Sequence, residues 1–342
     1  MIIKYPEALQ KGDKIAVTAI SSGVEKPLHI LLEKAKSNIE SLGYKVELAK
    51  TVWNDEKSRS ATKEIRAEEF MELLADPAIK AIIPPWGGQF SLEILPLLDW
   101  EKIKKNTPKW ILGYSDISTI NFVYTTITGN ASAHGINFVE MSAPTLDETS
   151  SSWHKVLTAN HGDIINQKSS FEFQSSWEKV FMNPATGFYF DTKTEWKSIN
   201  THEHFSGRLL GGVINTIQNL HGTPFDQVEE YLDTYTKDQG TIWYLESVGM
   251  SAAEIYRALW QMKINGWFKN TNGVLIGRSS GYAPTKDYEL EDVLMDIFYH
   301  DNIPFIYDVD IGHLPPQNTL VNGALANVSY KNGIGKITMH FK

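Results

Sequence analysis

A serine stands where an apolar segment turns sharply into a helical one, in Gly113-Tyr114-Ser115-Asp116-Ile117. At such a turn the hydroxyl is held out at the edge of a sheet. The N–H groups of Asp116 and Ile117, which open the helix, point at whatever the serine holds. This is the geometry of a nucleophile elbow, although the G-x-S-x-G pattern is not met. The plainer alternative is that Ser115 only caps the helix. A second candidate is Trp86-Gly87-Gly88-Gln89. Paired glycines let the backbone approach a ligand closely, and the N–H of Gly88 is a candidate oxyanion donor; a plain tight turn is the competing reading. No phosphate loop of the G-x-x-x-x-G-K-[ST] or G-x-G-x-x-G kind sits at a strand end.

Two further side chains are candidates, each with a plainer reading beside it. Glu246 closes the apolar run Thr241-Ile242-Trp243-Tyr244-Leu245, where a carboxylate can orient an imidazole or simply be solvated. His313 lies in the Gly/Pro-shaped loop Gly312-His313-Leu314-Pro315-Pro316, where it can act as a general base or lie at the surface. His202-Glu203-His204 invites a metal reading, but its i, i+2 histidines lack the H-E-x-x-H helical spacing. No metal and no cofactor are expected.

These residues need elements to bring them together. The chain has 342 residues, 41 acidic against 32 basic side chains and a net charge of −9, which argues against a nucleic-acid polymer or an anionic membrane as partner. Its 42% hydrophobic content supports a sizeable core, and its length allows two domains. The absence of cysteine excludes disulfides and thiol chemistry and fits a cytoplasmic protein. The longest apolar run at the N-terminus, IAVTAI, is too short for a signal peptide, and no segment approaches a membrane span.

Strand-like and helix-like segments alternate in the first half: strands at 14–20, 45–48, 80–83 and 109–114, and helices at 28–42, 64–75 and 117–127. That alternation predicts a mostly parallel sheet covered by helices, with ligands at the C-terminal ends of its strands. From 160 to 205 periodicity disappears, but the stretch is rich in aromatics, including Trp177, Phe181, Phe188 and Trp196, and is read as a boundary plus a long functional excursion. A short helix to Leu220, a strand at 241–245, a helix from the Ser251/Glu254 capping box to about Asn265, strands at 274–276 and 305–308 and a helix at 291–299 follow. Asn332-Gly333 closes a hairpin between 326–330 and 336–341.

Taken together and in order, Gly87-Gly88, Leu112-Gly113-Tyr114-Ser115-Asp116-Ile117-Ser118, Gly207-Arg208-Leu209-Leu210-Gly211-Gly212, Leu245-Glu246 and Gly312-His313 resemble the LD-carboxypeptidase family of serine peptidases. The likeness runs from Gly12-Asp13-Lys14-Ile15 to the terminal hairpin. It implies an N-terminal parallel α/β domain (1–160, flavodoxin- or glutamine-amidotransferase-like), a linker with a Trp-bearing substrate loop (161–205), and a C-terminal β-barrel-like domain with helices (206–342). It implies a triad of Ser115, Glu246 and His313 in the cleft between the domains, with Gly88 and Asp116 as the oxyanion hole and Gly87, Trp177, Trp196 and Asn215 at the substrate. It also implies a homodimer.

The family has a branch that trims murein peptides and a branch that resembles the microcin C immunity protein, which cleaves peptidyl- or aminoacyl-nucleotides. The Trp-bearing excursion is similar to the second branch, where aromatic faces stack on a nucleobase. The tryptophans could instead pack the loop or a dimer contact. Two positions depart from the pattern: Val213 stands where Asn commonly follows the paired glycines, with Asn215 retained, and Gly249 stands where the immunity branch has a basic residue. The expected activity is amide hydrolysis of a peptidyl- or aminoacyl-nucleotide; the alternatives are murein LD-carboxypeptidase action and a non-catalytic binding protein.

Overall fold

The computed structural model describes residues 2–182 and 187–342. Its first layer is the expected parallel sheet. Strands β1 (Lys14–Val17), β2 (Lys45–Leu48), β3 (Ile79–Ile82) and β4 (Trp110–Ile111) lie in the order β2-β1-β3-β4. The β1–β2, β1–β3 and β3–β4 pairs are all parallel. The crossovers run through α1 (His29–Ser41), α2 (Lys63–Ala75) and α3 (Trp100–Lys105). Thr62 caps α2 and Asp99 caps α3, each side chain accepting a backbone N–H three residues on. The strand expected at 109–114 shortens to two residues, because Gly113-Tyr114-Ser115 leaves the sheet to form the turn into α4 (Ile117–Thr128).

Helix α4 is buried from Ile117 to Thr126 on every face. Of its buried polar side chains, Asn121 donates to the carbonyls of Gly113 (3.1 Å) and Ala133 (3.0 Å), and the helix packs against β5 (Ser132–His134) and against the second sheet. The next elements are α5 (Ser152–Leu157), β6 (Ile164–Lys168), β7 (Glu172–Phe173), α6 (Glu178–Met182) and β8 (Thr192–Lys193). The described part of the aperiodic stretch thus contains paired strands: β6 pairs antiparallel with the C-terminal strand, and β7 and β8 pair antiparallel with each other.

The second half contains β9 (His202–Val213), α7 (Ile214–Ile217), α8 (Val228–Tyr231), β10 (Thr241–Glu246), α9 (Ala252–Ile264), β11 (Thr271–Gly277), α10 (Leu290–Phe298), β12 (Phe305–Val309), β13 (Leu320–Asn322), β14 (Leu325–Lys331) and β15 (Ile334–His340). Seven strands form one mixed sheet in the order β12-β11-β10-β9-β14-β15-β6, while β13 pairs with β5. The capping box at Ser251/Glu254 and the Asn332-Gly333 hairpin form where expected.

The unforeseen element is β9. Its glycines disguise a twelve-residue strand. A Cβ on Gly211 would run into the Tyr244 backbone, and one on Gly212 would come within 2.9 Å of Ser118 Cβ. The pair thus lets β9 sit against both β10 and α4. Phe122 of α4, Trp267 and Trp243 of β10 stack in series, with centroids 5.1 and 5.7 Å apart, and lock the helix to the second sheet. Parallel strands β9 to β12 end at one edge, which places Glu246 and the loop after β12 beside the start of α4.

Candidate active site

Ser115 sits at φ +62°, the left-handed region that is costly for a residue with a Cβ. Such backbone persists when its surroundings enforce it, and here Asp116 does so. Its buried carboxylate accepts from Ser21 Oγ (2.5 Å) and Ser91 N (2.8 Å), while its carbonyl accepts from Ser91 Oγ (2.8 Å). The Ser115 carbonyl accepts from Ser118 N of α4 at 3.0 Å, but its hydroxyl is not spent on the helix. Its Oγ lies instead 3.0 Å from His313 Nε2. The other ring nitrogen, Nδ1, lies 3.1 and 3.0 Å from the two carboxylate oxygens of Glu246. Hydroxyl, imidazole and carboxylate, 198 and 67 residues apart in sequence, form one hydrogen-bonded line.

Each member is held from behind. Glu246 is fully buried, and its side chain threads between two glycines. A Cβ on Gly277 would come within 2.9 Å of Glu246 Cβ, and one on Gly312, at φ +95°, would collide with the carboxylate. The loop that carries His313 is pinned by a buried ion pair, Arg278 to Asp310 at 2.8 Å. Arg278 also donates to the carbonyls of Leu314 (3.1 Å) and Pro316 (3.0 Å). Burial pulls the His313 pKa down, but the Glu246 charge, its hydrogen bond and the Glu140 charge outweigh this and leave it above the ordinary histidine value.

Gly87 lies against the serine. A Cβ there would stand 2.7 Å from Ser115 Oγ and 2.9 Å from Asp116 N, so only glycine leaves that space open. Gly88, at φ +141°, passes close to Ser21 and Ser22. The expected substrate residues divide. Trp177 donates its indole N–H to the His313 carbonyl at 2.6 Å and lines a cavity of about 320 Å³ beside the serine, with Trp86, Tyr114, Val139, Glu140 and Phe188 among its other walls. Trp196 does not reach the cleft: it is fully buried against Gly335, and its indole N–H donates to Asp310 at 2.7 Å. It packs the second sheet and braces the His313 loop through Asp310. Asn215 clamps the backbone of Val248 through both ends of its amide, at 2.9 and 3.1 Å, and so shapes the turn after Glu246. At Gly249 a Cβ would meet nothing within 4 Å.

Sequence reasoning missed a second layer. Tyr114 packs edge-on to His313, with centroids 4.9 Å apart. Its hydroxyl donates to Glu140 at 3.1 Å, and its N–H donates to Asn137 Oδ1 at 3.2 Å. Asn137 and Glu140 make a capping box, and that N-x-x-E spacing was legible. Nothing in the sequence linked Asp310 to Arg278. Among the described residues no cluster of three or more metal-ligating side chains occurs, His202-Glu203-His204 included. No helix among them is long and apolar enough to cross a membrane.

Models of the LD-carboxypeptidase N-terminal and C-terminal domains match residues 15–135 and 206–328. The microcin C7 self-immunity protein MccF of Escherichia coli is 27% identical over 320 residues, covering 89% of this chain and 86% of that protein. A probable murein peptide carboxypeptidase of Bacillus subtilis is 27% identical over 324 residues, covering 94% and 90%. MccF solved in complex with aspartyl sulfamoyl adenosine shares the fold, with a TM-score of 0.81 at 23% identity over 100% of this chain and 99% of that one. Two matched domain models spanning most of the chain, in the order and fold they require, settle its membership: the chain belongs to the LD-carboxypeptidase family and is a serine-type carboxypeptidase.

Proposed function

We propose that the chain hydrolyses an amide bond through Ser115, His313 and Glu246. The observation that carries this reading is the unbroken hydrogen-bonded line from Ser115 Oγ through His313 to a buried carboxylate. His313 Nε2 takes the hydroxyl proton as Ser115 Oγ attacks the carbonyl carbon. Glu246 keeps the other proton on Nδ1 and stabilises the imidazolium. The negative oxygen that develops is met by the N–H groups of Asp116 and Gly88, in the space that Gly87 leaves free; one such donor contributes roughly 3–4 kcal/mol in comparable sites. His313 then protonates the leaving nitrogen and the C–N bond breaks. Water enters, gives a proton to His313 and attacks the acyl-serine, and Ser115 recovers its proton as the acid leaves.

For the substrate we propose an aminoacyl- or peptidyl-nucleotide. The aromatic cavity beside Ser115 supports this, because Trp86, Trp177 and Phe188 offer flat apolar walls to a planar group. MccF, similar in fold, was solved with aspartyl sulfamoyl adenosine. We further propose that the protein works as a homodimer in the cytoplasm; a monomer in light scattering would refute the first part. Ser115→Ala should abolish turnover and retain binding. Parallel assays with an L,D-tetrapeptide and aspartyl sulfamoyl adenosine distinguish the branches: cleavage of the tetrapeptide alone would establish murein peptide action instead.

A further inference from the structure

We infer that Glu140 is a specificity-determining residue that selects, in the cavity beside Ser115, a planar substrate group bearing a basic, N–H-donating nitrogen. The cavity walls are mainly apolar, and among the described residues Glu140 is the only carboxylate lining it, with no Lys, Arg or His. The carboxylate is fixed before any ligand arrives. One oxygen accepts from the Tyr114 hydroxyl at 3.1 Å and the other from Asn137 N at 2.7 Å. Each oxygen keeps a free lone pair, so a flat ring held between aromatic walls can present two N–H groups to an immobile acceptor. An anionic or acceptor-only group in the same place would face the carboxylate with nothing to offset it.

The electrostatics agree with this placement. Burial pushes the Glu140 carboxyl up to about 7, against the lowering effects of Asn137 N–H, the Tyr114 hydroxyl and His313. A carboxyl so poised ionises when a cation or a strong donor reaches it. The selectivity rests on the reading of Ser115 as the nucleophile beside this cavity, yet its test does not depend on turnover.

Three bicyclic probes of similar size are titrated into the full chain by calorimetry: 2-aminobenzimidazole, 2-methylindole and indole-2-carboxylate. The first should bind at least ~10-fold more tightly than the second, the worth of one charge-assisted pair, and the third more weakly than either. Glu140→Gln keeps one acceptor, for Asn137 N, and turns its NH2 toward the Tyr114 hydroxyl, which can rotate to accept; it should shrink that ratio to under ~3-fold. Glu140→Leu, checked by thermal melting, should abolish it. Equal binding of all three probes, an unchanged ratio in Glu140→Gln, or no binding of any probe up to ~5 mM would overturn the inference. Turnover and its loss in Ser115→Ala are measured separately, so this inference can fail while the hydrolytic reading stands.

Discussion

Replacing Glu246 by Gln separates two effects of the buried carboxylate. The perturbation removes one negative charge 3.0 Å from His313 Nδ1 and changes almost no volume. At that distance, and at an effective dielectric of about 20, the attraction is worth about 5 kcal/mol, gross, or about four pKa units. Burial of the imidazole opposes it, which is why the His313 pKa is raised rather than transformed. Without the charge, burial prevails and the ring becomes harder to protonate. The acid limb of kcat/KM should therefore move down by at least ~1 pH unit, because activity needs the neutral ring and is lost as pH falls through its pKa. The plateau should fall by about 10³–10⁴, since a Gln N–H facing Nδ1 forces the ring proton onto Nε2, where it cannot accept from Ser115.

The assay is kcat/KM from pH 4.5 to 9 on an amide whose cleavage requires Ser115. His134, pushed down to about 3 by burial, does not titrate in that window. Glu140 does, so Glu140→Gln is run as a control for its share of the profile. An acid limb that stays or rises, or a plateau within ~10-fold of wild type, would refute the assignment of Glu246.

Gly312→Ala should cost as much activity as loss of Glu246, because the added methyl meets the carboxylate and φ +95° is strained for alanine; a variant with near wild-type kcat would show that the carboxylate can move. Trp177→Phe keeps an aromatic wall but removes the hydrogen bond to the His313 carbonyl, so kcat should drop ~3–10-fold with KM little changed, whereas Trp177→Ala should also raise KM. Trp196→Ala should lower stability by about 3–5 kcal/mol in denaturant unfolding, the cost of emptying a buried site. Glu93→Gln leaves Arg66 buried beside a neutral amide and should destabilise by about 2–3 kcal/mol at pH 7, discounted because Glu93 itself is partly exposed. Hydrogen bonding from Arg59, then Arg66, holds the Glu93 carboxyl down to about 2 despite burial. Its contribution is complete above the ordinary carboxylate range and lost as pH falls toward that value, so wild type and Glu93→Gln should converge in acid.

The sequence on its own determined the local chemistry and most of the local structure. Local pattern marked α1, α2, α4 and α10, the Ser251/Glu254 capping box marked α9, and Asn332-Gly333 marked the hairpin, because these depend on contacts within a few residues. It also singled out Ser115, Glu246 and His313, since each closes or follows an apolar strand at a turn. It failed where long-range packing overrides composition. No strand is expected from the glycine-interrupted run 207–212, yet the missing side chains of Gly211 and Gly212 are what Tyr244 and Ser118 require. Trp177 and Trp196 looked alike in one aromatic stretch; one lines the cavity and holds the His313 loop, the other is buried on Gly335.

What only the tertiary structure decided is the convergence itself. Parallel pairing of β9 to β12 brings residues 246, 278 and 310–313 to one edge, and the enclosed helix α4 sets the 3.0 Å between Ser115 and His313. Residue types dictate which reaction a group can perform, but distance and burial dictate whether it does. Those follow from how sheets stack on a shared helix, which no spacing along the chain encodes.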